Sequence, residues 1–191
     1  MPRILYLCSG SYGAGKTYWG NLNAGNGNTI SLASPIRRYL FRIFNDDRVH
    51  STSQDVKNSR FPKTLINKCI RTNSIPSKVP KRLFLEFQSS LADLEDIGNL
   101  SVRDLLIIMG DAGRKLNSNY WINETKKMLD DVSKHSNICV DDVRFLNERS
   151  KLKEWAIKNY ITPIHLFIGE PDELYNNQDL YDSCDYNVSW K

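Results

Sequence analysis

Lys16 and Thr17 close a glycine-rich stretch, Gly10-Ser-Tyr-Gly-Ala-Gly15-Lys16-Thr17, that follows the apolar run 4–8. The spacing is G-x-x-x-x-G-K-[ST], the pattern of a phosphate-binding P-loop, and each residue type has a physical task. Gly10, Gly13 and Gly15 admit backbone angles and a close approach that a side chain would block. Successive amide groups from Gly10 to Tyr18, those of Ser11, Ala14 and Gly15 among them, then form a concave anion nest at the positive end of the next helix. Lys16 is the candidate for the β- and γ-phosphates and Thr17 for Mg²⁺. A chance glycine turn rarely stands at the end of an apolar strand.

A second constellation is Asn137-Ile-Cys-Val-Asp-Asp-Val-Arg144. An apolar run ending in acids is the pattern of a buried parallel strand, with its acids at the carboxyl edge. Asp141 and Asp142 compete for one role; strand logic favours Asp141 at the metal, as a ligand of a Mg²⁺-bound water. Arg37 and Arg38 fall in the first turn of an expected helix, near the edge where open α/β sheets bind ligands. His50, His135 and His165 show no pairing that suggests catalysis.

The elements that must position these residues follow from periodicity and punctuation. A short helix starts near Lys16, limited by Gly20, Gly25 and Gly27, and 29–33 reads as a strand. Ser34 and Pro35 start a helix over 35–44, with Ile36, Tyr39, Leu40 and Ile43 on one face. Residues 45–80 are rich in Asn, Asp, Ser, Pro and Lys and read as a loop-rich insertion with a short helix around 63–70. Further helices are expected over 82–94, over 102–109 behind a Ser101–Asp104 capping pair and stopping at Gly110, within 119–134, and over 147–160. Strands are expected at 138–140, 164–168 and 186–190. Strands separated by helices argue for a doubly wound, mostly parallel α/β sheet in a single domain over 1–191, with 45–100 as an inserted substrate-side segment.

Composition narrows the function classes. Apolar residues make up 40% and charged residues 25% of 191, ordinary values for a globular protein. No apolar run approaches a membrane span or a secretion signal. The four cysteines are scattered without metal spacing, which reads as a reduced, cytoplasm-like setting. Net charge is +4 but uneven: 57–82 holds eight Lys/Arg and no acid, and 170–185 holds six acids and no Lys/Arg. The basic run could serve phosphorylated small molecules or nucleic acid. Phe61 is its one aromatic, which argues against a single-strand platform.

Several segments beyond the P-loop resemble the bacteriophage deoxynucleoside monophosphate (dNMP) kinases: GSYGAGKT, LASPIRRYL, LSVRDLLIIMGD, NYWIN, VDDVRFLNE, ITPIHLFIG and a weak DYNVS, in the family's order. The resemblance implies a five-stranded parallel sheet in P-loop kinase order, with ATP, Mg²⁺ and a dNMP as small-molecule partners. It implies a cytoplasmic enzyme, in the host cell if phage-encoded, with no membrane partner, and it leaves a homodimer open. Tyr12 matches the loop position facing the nucleotide substrate. Ile36 and Arg37 match the segment that contacts the monophosphate, Arg103 the arginine of the VR pair, and Gly110 the glycine after it. Trp121 matches the aromatic expected to stack on the base. Asp142, by the family register, is substrate-facing and catalytic, and Arg144 is the arginine bracing transition-state charge, as Lys16 does on the donor side. Asp111 stands where relatives often carry Thr, which bears on base or sugar preference. Two competing classes stay open: a P-loop kinase for another small acceptor, and a nucleotide-dependent nucleic-acid-binding protein.

Overall fold

Five strands form one all-parallel sheet in the order β2-β3-β1-β4-β5. They are β1 Ile4–Gly10, β2 Thr29–Ser31, β3 Ile138–Asp141, β4 Thr162–Ile168 and β5 Tyr186–Val188. The computed structural model describes residues 3–11, 13–25, 28–51, 53–132, 136–171 and 178–189. Among these the helices are α1 Lys16–Ala24, α2 Ser34–Phe44, α3 Gln54–Asn58, α4 Lys63–Arg71, α5 Lys81–Ala92, α6 Val102–Leu116, α7 Tyr120–Asp130, α8 Leu146–Lys158 and α9 Gln178–Asp182. The chain is thus an α/β protein. It divides into two compact units, one of residues 1–32 with 122–191 and one of residues 33–121.

The first unit holds the sheet. Its central strands are apolar at consecutive positions because both faces are covered. Leu5 and Leu7 of β1 join Ile138 and Val140 of β3 in a core with Leu129 of α7 and Leu152 and Ala156 of α8. The intervening Cys8 and Cys139 pack with Ala24 of α1. Strand β1 pairs Leu5 with Ile138 and Leu7 with Val140, which brings the end of β3 beside the loop that leaves β1. The Cys8 and Cys139 thiols lie 3.4 Å apart and are free, as are Cys69 and Cys184.

The second unit is helical, with Leu40, Phe44, Phe61, Ile66, Leu83 and Phe87 at its core. The Phe44 ring stands edge-on to Phe61 at 4.9 Å. Within residues 45–80, α4 stands at the short helix expected around 63–70, and a 3₁₀ turn Asp47–His50 and α3 add helix that composition did not suggest. Pro62 and Pro80 stand directly before α4 and α5. There the missing N–H costs nothing, because the first turn has no partner for it. Gln88 of α5 donates to the carbonyls of Cys69, Ile70 and Thr72, closing the end of α4 with a contact from eighteen residues away. The Ser101–Asp104 capping box opens α6 as expected. That helix does not stop at Gly110 but runs on to Leu116. Glycine weakens a helix by roughly 1 kcal/mol. Packing outweighs this, since a Cβ on Gly113 would lie 2.5 Å from Trp121 Cε2. Among the described residues no helix is long and apolar enough to cross a membrane.

His165 of β4 is buried in the first unit, and its Nε2 shares a 2.7 Å hydrogen bond with the Ser9 hydroxyl. Burial, aided by the cations of Arg149 and Lys153 and opposed by Asp185, pushes its pKa down to about 4. The folded protein therefore keeps His165 neutral where the unfolded chain, titrating near 6.5, takes up a proton. This stability is complete above about pH 6.5 and is lost as pH falls toward about 4, in total roughly 3 kcal/mol. Urea unfolding at pH 7, 5.5 and 4.5 should show the decline, and His165→Gln should flatten it. An unchanged slope in the variant would remove His165 from the account.

Candidate functional site

The loop 10–17 is shaped by where β1 ends. Gly10 has φ 135, and a Cβ there would sit 2.1 Å from the Ile168 carbonyl oxygen of β4, so no other residue fits the strand pairing. The chain then turns: Ala14 N–H donates to Ser11 O at 3.3 Å, and the Ser11 hydroxyl donates to Glu170 O. Gly13 and Gly15 both have positive φ, and Gly15 leads directly into α1 at Lys16. Lys16 is largely buried, and Nζ donates to Ser11 O at 2.7 Å and Gly10 O at 3.0 Å. Burial holds its pKa below the usual lysine value, with Asp142 working in the opposite direction. Tyr18 is exposed on α1, and Tyr12 lies outside the described residues.

The two acids at the end of β3 make different contacts. The Thr17 hydroxyl donates to Asp141 Oδ2 at 2.5 Å, joining the first turn of α1 to the end of β3. Asp141 is 4% exposed, and burial pushes its carboxyl above the usual range against the pull of the Thr17 hydrogen bond. Its other oxygen, Oδ1, is buried and takes up no hydrogen bond among the described residues. A hydroxyl, a carboxylate and an unanswered carboxylate oxygen are the hard donors that Mg²⁺ takes, with phosphate and water completing its shell. Among the described residues no three His, Cys, Asp or Glu side chains converge into an all-protein metal cage.

Asp142 turns away from Asp141 because its backbone is left-handed, at φ 63. One of its oxygens lies 3.8 Å from Lys16 Nζ and the other 3.4 Å from Arg144 Nη2. It therefore stands between the two cations that the sequence reading picks out. Arg144 is mostly exposed. Its backbone N–H and that of Phe145 both donate to Glu148 Oε2, at 2.8 and 3.1 Å. Glu148 is thus the residue that shapes this turn, and the capping spacing to α8 was the signal that could have found it.

The other candidates belong to the second unit. Arg37 Nη1 donates to the carbonyls of Ser51 at 2.8 Å and Val49 at 3.3 Å. Arg103 Nη2 donates to Gln54 Oε1. Both arginines thus reach the same short stretch of chain, and Gln54 is a partner that sequence reasoning did not name. Ile36 packs on the core, and Asp111 pairs with Arg114 at 2.8 Å on the surface of α6. Trp121 is 4% exposed, with its indole N–H donating 2.7 Å to Gly110 O and its ring against Gly113. The expected open stacking wall is, at this residue, a satisfied core tryptophan. The side chain beside it, Tyr120, is half-buried and meets the Trp121 ring edge-on at 5.0 Å.

Compared with known proteins, the chain matches no family model and no curated sequence.

The Trp121 seat makes a stability prediction. Trp121→Phe removes the indole donor to Gly110 O and part of the ring packed on Gly113, and should cost about 1–3 kcal/mol. Gly113→Ala forces a methyl into the ring and should cost a similar ~1–3 kcal/mol. Denaturant unfolding of both variants checks this; wild-type midpoints would place the indole elsewhere.

Proposed function

We propose that this protein is a P-loop kinase that transfers the γ-phosphoryl group of ATP to a deoxynucleoside monophosphate. In that reaction a bond forms from an acceptor phosphate oxygen to Pγ as the β–γ bridge bond breaks, releasing ADP and a deoxynucleoside diphosphate. The observation that carries the donor half is the Thr17–Asp141 contact beside a glycine loop holding Lys16. The parallel sheet order β2-β3-β1-β4-β5 is consistent with it. The acceptor half rests on the resemblance of the VRDLLIIMG, NYWIN and DVRFLNE segments to the phage dNMP kinases.

Little covalent work falls to the protein, since a phosphate monoester oxygen is already a competent nucleophile at neutral pH. The residues position groups and answer charge. Mg²⁺, when held by Thr17 and Asp141, would neutralise charge on the phosphate oxygens. Lys16 supplies the donor-side cation, and its contacts with Gly10 O and Ser11 O keep it over the loop. Asp142 restrains both Lys16 and Arg144. Arg144, exposed and steadied by the Glu148 turn, is the arginine available to developing charge. Arg37 and Arg103 are assigned by the resemblance to the acceptor's phosphate, for which a planar guanidinium suits a two-point grip.

The test is an ADP-release assay over a panel of dNMPs and ribonucleoside monophosphates. Lys16→Ala should lower turnover by about two to three orders of magnitude, the scale for one preorganised charge-stabilising donor, with folding intact. Arg144→Lys should lower kcat and kcat/KM together. Arg37→Lys and Arg103→Lys should raise the dNMP KM and spare that of ATP. No ADP release with any monophosphate, or near-wild-type turnover in Lys16→Ala, would refute the reading.

A further inference from the structure

Residues 57–82, with eight Lys/Arg and no acid, run through α4 and the turn after it to the start of α5, all within the helical unit. We propose that this stretch forms a docking surface for the phosphate backbone of duplex nucleic acid, independent of base sequence. It is a separate property from the phosphoryl transfer proposed above.

The surface is built by two helices and a fixed turn. On α4, Thr64, Lys68 and Arg71 are exposed at i, i+4, i+7 spacing, because Ile66 and Cys69 take the core side. On α5, Leu83, Phe84, Phe87 and Leu91 are buried, while Lys81, Arg82 and Ser89 are exposed. Gln88 joins the helices by donating to the carbonyls of Cys69, Ile70 and Thr72. Between them Lys78 is exposed and held at φ 62, a region that lysine rarely adopts. Arg42 Nη1 donates 2.9 Å to the Lys78 carbonyl, and the neighbouring Val79 is buried, so this turn is anchored on both sides.

The cations here have no internal use. Among the described residues no ion pair or hydrogen bond engages the side chains of Lys68, Arg71, Lys78, Lys81 or Arg82. Acids of the same unit pair elsewhere: Asp46 with Arg48, Glu86 with Lys115 and Asp111 with Arg114. Lys63 opens α4, and Lys81 and Arg82 open α5, where the positive end of a helix ordinarily favours an acid. Local stability does not account for them; an anion outside the chain does. The unit carries fifteen Lys/Arg and nine Asp/Glu, so its overall charge also draws one.

The rest of the surface selects the kind of anion. Lys, Arg, Ser and Thr are side chains that contact phosphate oxygens and sugars. Stacking of unpaired bases needs exposed rings, and Phe61, Phe84 and Phe87 are buried. A membrane surface takes a continuous apolar face, whereas those of α4 and α5 are packed in the core and leave only Ile75 and Leu85 partly exposed. What remains suits a duplex backbone.

Fluorescence anisotropy of the full chain with a short labelled duplex, the matching single strand and phosphatidylserine vesicles tests this. Log K for the duplex should fall against log salt with a slope of about −4.5, or about 0.9 for each of five neutralised phosphates. Joint Lys68→Gln and Arg71→Gln substitution should reduce that slope by about 2 and weaken every duplex sequence alike. Joint Lys81→Gln and Arg82→Gln substitution probes the same surface from the other helix and should act likewise. Lys158→Gln, exposed on α8 of the sheet unit, should leave the slope unchanged. All these positions are exposed, and thermal unfolding checks that each variant keeps its fold. No duplex binding at low salt, or an unaltered slope in both double variants, would overturn the surface. Tighter binding of the single strand, or binding of vesicles in place of the duplex, would overturn the choice of partner.

Discussion

A carboxylate buried at the end of a central strand is the constraint around which the sheet unit is arranged. Asp141 is almost inaccessible, and a charge in such a place must be answered by a donor or a cation. Thr17 answers one oxygen, and it can do so only because two separate pieces of geometry agree. Pairing of β3 with β1 and β2, together with the Leu32 N–H donated to Asp141 O, holds the acid at the sheet's edge. The left-handed Gly15 starts α1 at the point that aims Thr17 back toward it. Lys16, one residue earlier, is then turned over the loop carbonyls and Asp142.

Adjacent residues of one strand end take different tasks through a backbone difference. Asp141 continues the extended strand and points into the interior, whereas Asp142 adopts a left-handed conformation and faces two cations. Asp is among the few side chains that tolerate this region. Glu148 then gathers the next two backbone N–H groups, so the turn carrying Arg144 is held by its own helix cap. The acid pair, the arginine and the cap act as one local device within eight residues.

The helical unit solves a different problem, that of seating large aromatic and cationic side chains with few strands to pair. Three of its arginines donate to carbonyl oxygens: Arg37 to two backbone groups, Arg103 to the Gln54 amide and Arg42 to Lys78 O. Its charge is positive on balance, while the sheet unit has eleven Lys/Arg against thirteen Asp/Glu. The modest net charge of the whole chain therefore hides two units of opposite sign.

Features governed by neighbours in sequence were legible before any fold was known. The apolar strands 4–8 and 138–140 and the Ser101–Asp104 cap each depend on interactions spanning a few residues, and each stands where the pattern put it; the helix expected over 35–44 behind a Ser34 cap starts one residue earlier, with Ala33 before it and no side-chain cap. Side chains that meet across long separations were decided by tertiary structure. Gln88 reaches back to close α4, and Gly113 lets Trp121 lie against α6, so that helix runs through both glycines instead of ending at one. The same contact turns Trp121 from an expected stacking wall into core. The choice of Asp141 over Asp142 for Thr17 needed the parallel register of β3 against β1, because the residue type is the same at both positions and only the backbone separates them.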